Sequence, residues 1–337
     1  MTEVTLGRTG ITVNKNGFGA LPIQRIRIEE SQKILKKAFQ NGITFFDTAR
    51  FYTDSEEKIG NALSDVRSGI ILASKTMAST PEDLETQLLL SLKALRTDYL
   101  DLYQFHNPAF CPRPGDGTGL YEAMLHAKES GLIRHIGITN HRLNVAMEAA
   151  NSGLYETIQF PFSYLATQGE LDLVDLCRKN EIGFISMKAL SGGLITNARA
   201  AFAFQMQFDH VLPIWGIQKE SELDDFLALD RNPPVMDSEL SSFIHTEKNE
   251  LSGNFCRGCG YCMPCPAGIE ISTCARMSLM IRRAPLSVYL SEEWINKMKN
   301  IKNCIHCNHC SSKCPYGLDT PHLLEENLKD YQNFIPK

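Results

Sequence analysis

Four residues with complementary proton chemistry fall at related places in the chain. The apolar run Ile43-Thr44-Phe45-Phe46 breaks into polar residues at Asp47, and Tyr52 follows in the next loop. Ile70-Ile71-Leu72-Ala73-Ser74 ends on Lys75, and Leu100-Asp101-Leu102-Tyr103-Gln104-Phe105 ends on His106. A phenol with an unperturbed pKa of about 10 is a weak acid at neutral pH. A neighbouring ammonium lowers that value, and a carboxylate holds the ammonium in place. A histidine can orient a carbonyl or share the proton. Together the four suit protonation of an oxygen while hydride reaches its carbon. Any one of them alone would read as an ordinary strand-end residue. In a parallel β/α architecture, polar residues at the C-terminal ends of successive strands read as catalytic.

The elements needed to position them are written in the pattern. Helical periodicity runs over 29–40, 56–63, 81–95, 120–130, 144–151, 171–180, 198–208 and 221–229. Strand-like runs precede each: 17–20, 43–46, 70–75, 100–106, 135–137, 157–160, 183–187 and 211–215. Eight strand-then-helix units argue for parallel strands with crossover helices, closed into a TIM (β/α)8 barrel. No Gly-x-Gly-x-x-Gly follows an early strand, which counts against an open dinucleotide-binding sheet. A hairpin over 6–13 precedes the first barrel strand. The Pro- and Gly-rich loop 107–119, carrying Phe110 and Cys111, follows the His106 strand and reads as substrate-shaping. Phe51, Phe110 and Phe162 suggest an aromatic pocket, although core packing would explain Phe162 equally well.

The stretch Phe45-Phe46-Asp47-Thr48-Ala49-Arg50-Phe51-Tyr52, the strand-end Lys75, and Thr97-Asp98-Tyr99-Leu100-Asp101-Leu102-Tyr103-Gln104-Phe105-His106 resemble the aldo-keto reductases. The resemblance covers about residues 4–229. It implies a barrel that reduces aldehydes or ketones with a nicotinamide cofactor, its lower end plugged by the hairpin. Tyr52 would then be the general acid, Lys75 its tuning cation, Asp47 the partner of Lys75, and His106 the residue that positions the carbonyl. The resemblance also implies nicotinamide contacts from Thr139, Asn140 and Gln159. Met187 and Lys188 stand where the family often has a stacking aromatic. Gly216, Lys219 and Ser221 lie at its adenosine-phosphate site. There Glu222 replaces an arginine that pairs with the 2′-phosphate in NADP-preferring members, so the cofactor reads as NADP or NAD, with a flavin at the barrel mouth left open.

Beyond residue 230 the barrel pattern stops at Asn232-Pro233-Pro234, and a polar connector leads to a different module starting near Ser252. The expected division is a barrel over 1–232, a linker over 233–251 and a small C-terminal domain over 252–337. Eight of the eleven cysteines lie there in two runs. The first is Cys256-x2-Cys259-x2-Cys262-x2-Cys265-Pro266, the second Cys304-x2-Cys307-x2-Cys310-x3-Cys314-Pro315. The second matches the bacterial ferredoxin pattern, in which the fourth cysteine of each run serves the other cluster. That logic gives two [4Fe–4S] clusters, one on Cys256, Cys259, Cys262 and Cys314, the other on Cys304, Cys307, Cys310 and Cys265. Structural zinc is the competing reading, but paired zinc ribbons do not place four cysteines within ten residues before a proline. Cys177 and Cys274 read as small buried hydrophobes.

With 337 residues, 43% of them hydrophobic, the chain can build one full barrel and a small module. A net charge of −5 without a basic block argues against nucleic acid. No apolar run reaches the length of a transmembrane helix, and the start, Met-Thr-Glu-Val-Thr-Leu-Gly-Arg, lacks the apolar core of a signal peptide, so a cytoplasmic location away from membranes is expected. The expected substrate is a small carbonyl compound or alcohol, with a ferredoxin or flavoprotein as a candidate redox partner. The alternative is an iron-sulfur electron-transfer or redox-sensing protein that uses its barrel as a docking scaffold.

Overall fold

The computed structural model describes residues 2–251, 253, 255–283 and 286–335. Ser252, where the sequence starts the second module, lies outside them. The chain forms two compact units, one of Met1–Ala189 and Ala198–Phe243, the other of Leu190–Asn197 and Ile244–Lys337.

The first unit opens with a hairpin, β1 (Glu3–Thr5) antiparallel to β2 (Thr12–Asn14). Eight strands follow: β3 (Gly17–Gly19), β4 (Phe45–Asp47), β5 (Ile71–Thr76), β6 (Leu100–His106), β7 (Ile133–Thr139), β8 (Thr157–Pro161), β9 (Gly183–Met187) and β10 (Val211–Gly216). Each pairs in parallel with its sequence neighbour, and β10 pairs with β3, closing the barrel. The crossovers are α1 (Ile28–Gln40), α2 (Ser55–Leu63), α3 (Pro81–Leu95), α4 (Leu120–Glu129), α5 (Leu143–Ser152), α6 (Gln168–Lys179), α7 (Ala198–Met206) and α8 (Glu220–Arg231).

Local chemistry sets these bounds. In α3, Thr80 accepts the Asp83 N–H, Pro81 opens the first turn, and Leu84, Leu88, Leu92 and Leu95 form the buried stripe. Helix α6 begins three residues earlier than its apolar periodicity, because the Glu170 carboxylate caps the Thr167 N–H at 2.7 Å. Inside the barrel, Val4, Leu6 and Val13 from the hairpin region pack with Phe45, Ala73, Leu102, Ile185, Leu212 and Ile214. The hairpin thus plugs the apolar lower layer. The two-residue period of a strand then carries Lys75, Gln104, His106 and Thr139 inward above it.

The connector is helical, α9 (Ser238–Glu250), its residues divided between the two units after Phe243; the second unit continues with the short helices α10 (Ile271–Cys274), α11 (Met277–Arg283), α12 (Leu286–Tyr289), α13 (Glu292–Lys299) and α14 (His309–Lys313), and with α15 (Thr320–Tyr331). The core of this second unit is small, with Ile269, Ile271, Met277, Ile281, Met298, Leu324 and Tyr331 surrounding buried Cys262, Cys274 and Cys310. A core of this size gains little from apolar burial alone, which is the usual setting for metal-stapled modules.

Candidate active site and cysteine cavity

Asp47 ends β4, Lys75 is the penultimate residue of β5 and His106 ends β6, while Tyr52 stands in the loop after β4. The Lys75 ammonium lies 2.7 Å from both Asp47 carboxylate oxygens and 2.6 Å from the Thr48 carbonyl oxygen. It also lies 5.3 Å from the centroid of the Tyr52 ring. The Tyr52 and His106 rings meet edge to face, centroids 5.6 Å apart. The four side chains therefore converge at one end of the barrel.

Burial governs their protonation. Lys75 and Asp47 have side-chain exposures of only 1% and 3%. Burial pulls the Lys75 ammonium below the ordinary lysine range and pushes Asp47 above the carboxylate range, each shift partly offset by the other's charge. Burial, with a smaller contribution from Lys75, takes His106 down to about 3, so its imidazole is neutral. A neutral imidazole can donate one hydrogen bond but is no acid at neutral pH.

A polar floor continues from this pair. Gln159 donates to Asp47 at 3.4 Å and accepts from Gln104 at 3.0 Å. Gln104 was missed by the sequence reading; it lies two residues before His106 on the same inward face. His141 is also buried, its pKa held well down by burial and by the charge of Lys188. Phe51 is 67% exposed and meets the His106 ring edge-on at 6.5 Å. Phe110 is exposed on the loop after His106. Phe162 packs against Phe184, Phe204 and Phe208, so it is a core residue rather than part of a pocket.

The expected nucleotide contacts separate into two groups. Thr139 donates from its hydroxyl to the Met187 sulfur at 3.7 Å, which brings strand ends β7 and β9 together across the mouth. Lys188 follows with a left-handed backbone, φ 56°. Asn140 donates to the Pro108 carbonyl of the loop after β6 at 2.8 Å and accepts the N–H groups of His141 and Arg142. At the second group, Gly216 ends β10. Helix α8 starts at Glu220 with Lys219 as its cap, not at Ser221, which is the second helical residue. The reason is Glu222, whose carboxylate accepts the N–H groups of Gln218 at 2.9 Å and Lys219 at 3.1 Å. A residue expected only to repel a phosphate thus occupies the helix end that would bind one.

In the second unit the cysteines converge. One cavity is lined by Cys304, Cys307, Cys310, Cys262 and Cys265, with walls from Ile269, Ile271, Pro321 and Leu324. Burial lifts the Cys256 thiol above the ordinary range; the Gly258 N–H and Arg276 oppose this, while the neighbouring Cys259 and Cys314 add to it. Cys314 is thus within electrostatic reach of Cys256, while Cys262 and Cys265 of the first run share a cavity with three cysteines of the second. Burial raises Cys262 to about 12. Thiols this reluctant to ionise in water-poor surroundings become ligands by exchanging their protons for a cation. Among the described residues, no three His, Cys, Asp or Glu side chains are gathered tightly enough to hold a single metal ion. Five cysteines around one cavity with apolar walls suit the chemistry of an iron-sulfur module. His306 and His309 are exposed, and His306 lies 3.7 Å from Glu325. Cys177 and Cys274 are fully buried.

A closed parallel barrel with a charged constellation at its strand ends, joined to a cysteine-rich module, defines a barrel oxidoreductase with an iron-sulfur domain. Residues 15–225 match the family model described as the aldo/keto reductase family, and residues 255–319 match a 4Fe-4S dicluster domain. The chain belongs to the aldo/keto reductase family and carries a C-terminal 4Fe-4S dicluster domain. It is 29% identical over 218 residues to L-galactose dehydrogenase of Arabidopsis thaliana, covering 58% of this chain and 68% of that protein. It is 30% identical over 219 residues to the aldo-keto reductase YhdN of Bacillus subtilis, covering 58% and 64%. Among solved structures, the aldo-keto reductase AKR11C1 of Bacillus halodurans in its holo form superposes with a TM-score of 0.64 at 21% identity, covering 73% of this chain and 96% of that one. An aldo-keto reductase of Klebsiella pneumoniae in complex with NADPH gives 0.63 at 20% identity, covering 73% and 94%. These likenesses show the same barrel. No helix among the described residues is long and apolar enough to cross a membrane.

Proposed function

We propose that the protein interconverts a small carbonyl compound and its alcohol, with Tyr52 as the group that moves the proton at the carbonyl oxygen. The observation that carries this reading is the buried Lys75–Asp47 pair beneath the Tyr52 ring, with neutral His106 edge-on to that ring. A desolvated ammonium near a phenol favours the phenolate and so makes proton release easier. His106, unable to act as an acid at neutral pH, is left to donate a hydrogen bond that orients the carbonyl. Asp47, braced by Gln159, fixes the ammonium so that its field does not reorganise during the reaction. Exposed Phe51 and Phe110 favour a substrate with an apolar or aromatic portion.

A nicotinamide nucleotide supplies the hydride when bound. Thr139, Gln159, Met187 and Lys188 would hold its nicotinamide end, with Gly216, Lys219 and Ser221 near its adenosine end. Solved relatives with NADP or NADPH support a phosphorylated nucleotide, although Glu222 fills the helix end where its extra phosphate would sit. The two [4Fe–4S] clusters supply one-electron transfer or structural support. One is held by Cys256, Cys259, Cys262 and Cys314, the other by Cys304, Cys307, Cys310 and Cys265. A ferredoxin or flavoprotein is the fitting redox partner. A role as a mere docking scaffold is not favoured, because burying a charged constellation costs stability that a scaffold has no need to spend.

The test is a visible spectrum of anaerobically purified protein, followed by NADH and NADPH titration with a panel of carbonyls. Iron-sulfur absorbance with nucleotide-dependent carbonyl turnover supports the proposal. Absorbance with no turnover on any carbonyl favours the scaffold reading.

A further inference from the structure

Arg276 is not among the residues assigned so far. It follows α10, and its guanidinium Nη1 donates to the Gly192 carbonyl at 2.9 Å. The same guanidinium lies flat against the loop between Cys256 and Cys259. A Cβ on Gly258 would fall 2.7 Å from its Cζ, and one on Gly192 2.8 Å from its Nη1. Both glycines have left-handed backbones, with φ 61° and 66°. Two side-chain-free positions thus make room for one cation. Gly258 in turn donates its N–H to the Cys256 sulfur at 3.4 Å. The charge therefore sits on the peptide that is hydrogen-bonded to a ligand sulfur. Arginine stays protonated at any working pH, so this positive charge is permanent.

We infer that Arg276 is a positioning charge for the cluster on Cys256, Cys259, Cys262 and Cys314, favouring the reduced form of that cluster. The inference rests on the crossed ligand sets proposed above. Reduction adds one electron to an anionic centre and breaks no bond; a nearby fixed cation favours the more negative, reduced form. A merely structural role is the rival, since Arg276 also clamps the segment Leu190–Asn197, which belongs to the same unit.

The experiment is an EPR-monitored dithionite titration of the full-length protein, cluster-loaded under anaerobic conditions, comparing wild type, Arg276→Gln and Arg276→Lys, with iron and sulfide measured on each. In Arg276→Gln the reduction equilibrium constant of one cluster should fall about tenfold, which is about 59 mV for one electron. The other couple should stay in place. Arg276→Lys keeps the charge but loses the fork, so its potentials should stay near wild type. The shifted couple should be the one whose signal Cys314→Ser removes. Unchanged potentials in Arg276→Gln, equal shifts in the glutamine and lysine variants, or a shift confined to the other couple would overturn the inference. Should Arg276→Gln fail to assemble clusters, the lysine variant decides alone: wild-type potentials support the charge role, shifted ones refute it. Full iron content in Cys314→Ser would instead sink the ligand assignment, and is read separately.

Discussion

Removing Lys75 tests how the site is paid for in stability as well as in rate. Asp47 and Lys75 are almost wholly buried and meet at 2.7 Å through both carboxylate oxygens. In Lys75→Met the carboxylate keeps only the side-chain amides of Gln159, at 3.4 Å, and Gln104. Breaking one side of a buried pair typically costs about 3–5 kcal/mol, because a charge is left without compensation. For a domain of the barrel's size, about 2–4 °C of thermal midpoint is lost per kcal/mol, so the barrel transition should drop by roughly 6–20 °C. The double variant Asp47→Asn/Lys75→Met removes both charges and should recover most of that loss, since neutral replacements of buried pairs are often near-neutral in cost. Scanning calorimetry of anaerobic, iron-replete protein reads both. A single variant within about 1 kcal/mol of wild type would refute the argument that the pair is a desolvated ionic one.

Other outcomes follow from the same geometry. His106 has an unfolded pKa near 6.5 and a folded value of about 3, so only the unfolded state takes up its proton between those values. Its contribution to stability is therefore full above pH 6.5 and lost as pH falls toward 3, by about 1.4 kcal/mol per pH unit. His106→Gln should flatten barrel stability between pH 6 and 4 by one proton's slope, measured by denaturant midpoints; an unchanged slope would contradict the neutral-imidazole assignment. Glu222→Gln removes the negative charge from the start of α8 while its amide oxygen can keep the cap, and should improve the NADPH-to-NADH ratio of kcat/KM by roughly fivefold, about 1 kcal/mol; no change would show that the phosphate binds elsewhere. Cys314→Ser and Cys265→Ser should each lose or destabilise one cluster, a different one, as read by iron content and EPR; loss of the same signal in both would argue against crossed ligation.

Much of the barrel could be read from the sequence, because its signals are local. Strand runs such as 100–106 and 183–187 and the Thr80-Pro81 start of α3 are fixed by period and capping within a few residues. The catalytic candidates were legible because four polar residues of complementary proton chemistry end or follow successive strands, where any one alone would have been ordinary. What escaped the sequence depends on contacts between distant residues. Gln104 gains meaning only through Gln159, which lies two strands away. Glu222 read as a repulsive charge because its capping bonds to Gln218 and Lys219 are a matter of backbone geometry. The segment Leu190–Asn197 belongs to the second unit although it lies between barrel elements. The bond from the Asn140 amide to the Pro108 carbonyl, in the loop after β6, likewise joins residues far apart in the chain.

The account stands or falls on Tyr52. Carbonyl turnover by Tyr52→Phe, measured with NADPH and with NADH on the substrate that wild type reduces best, should fall by about 10²–10⁴-fold while the iron-sulfur absorbance is unchanged. Turnover at the wild-type rate, with the clusters intact, would contradict the assignment of the proton to this phenol.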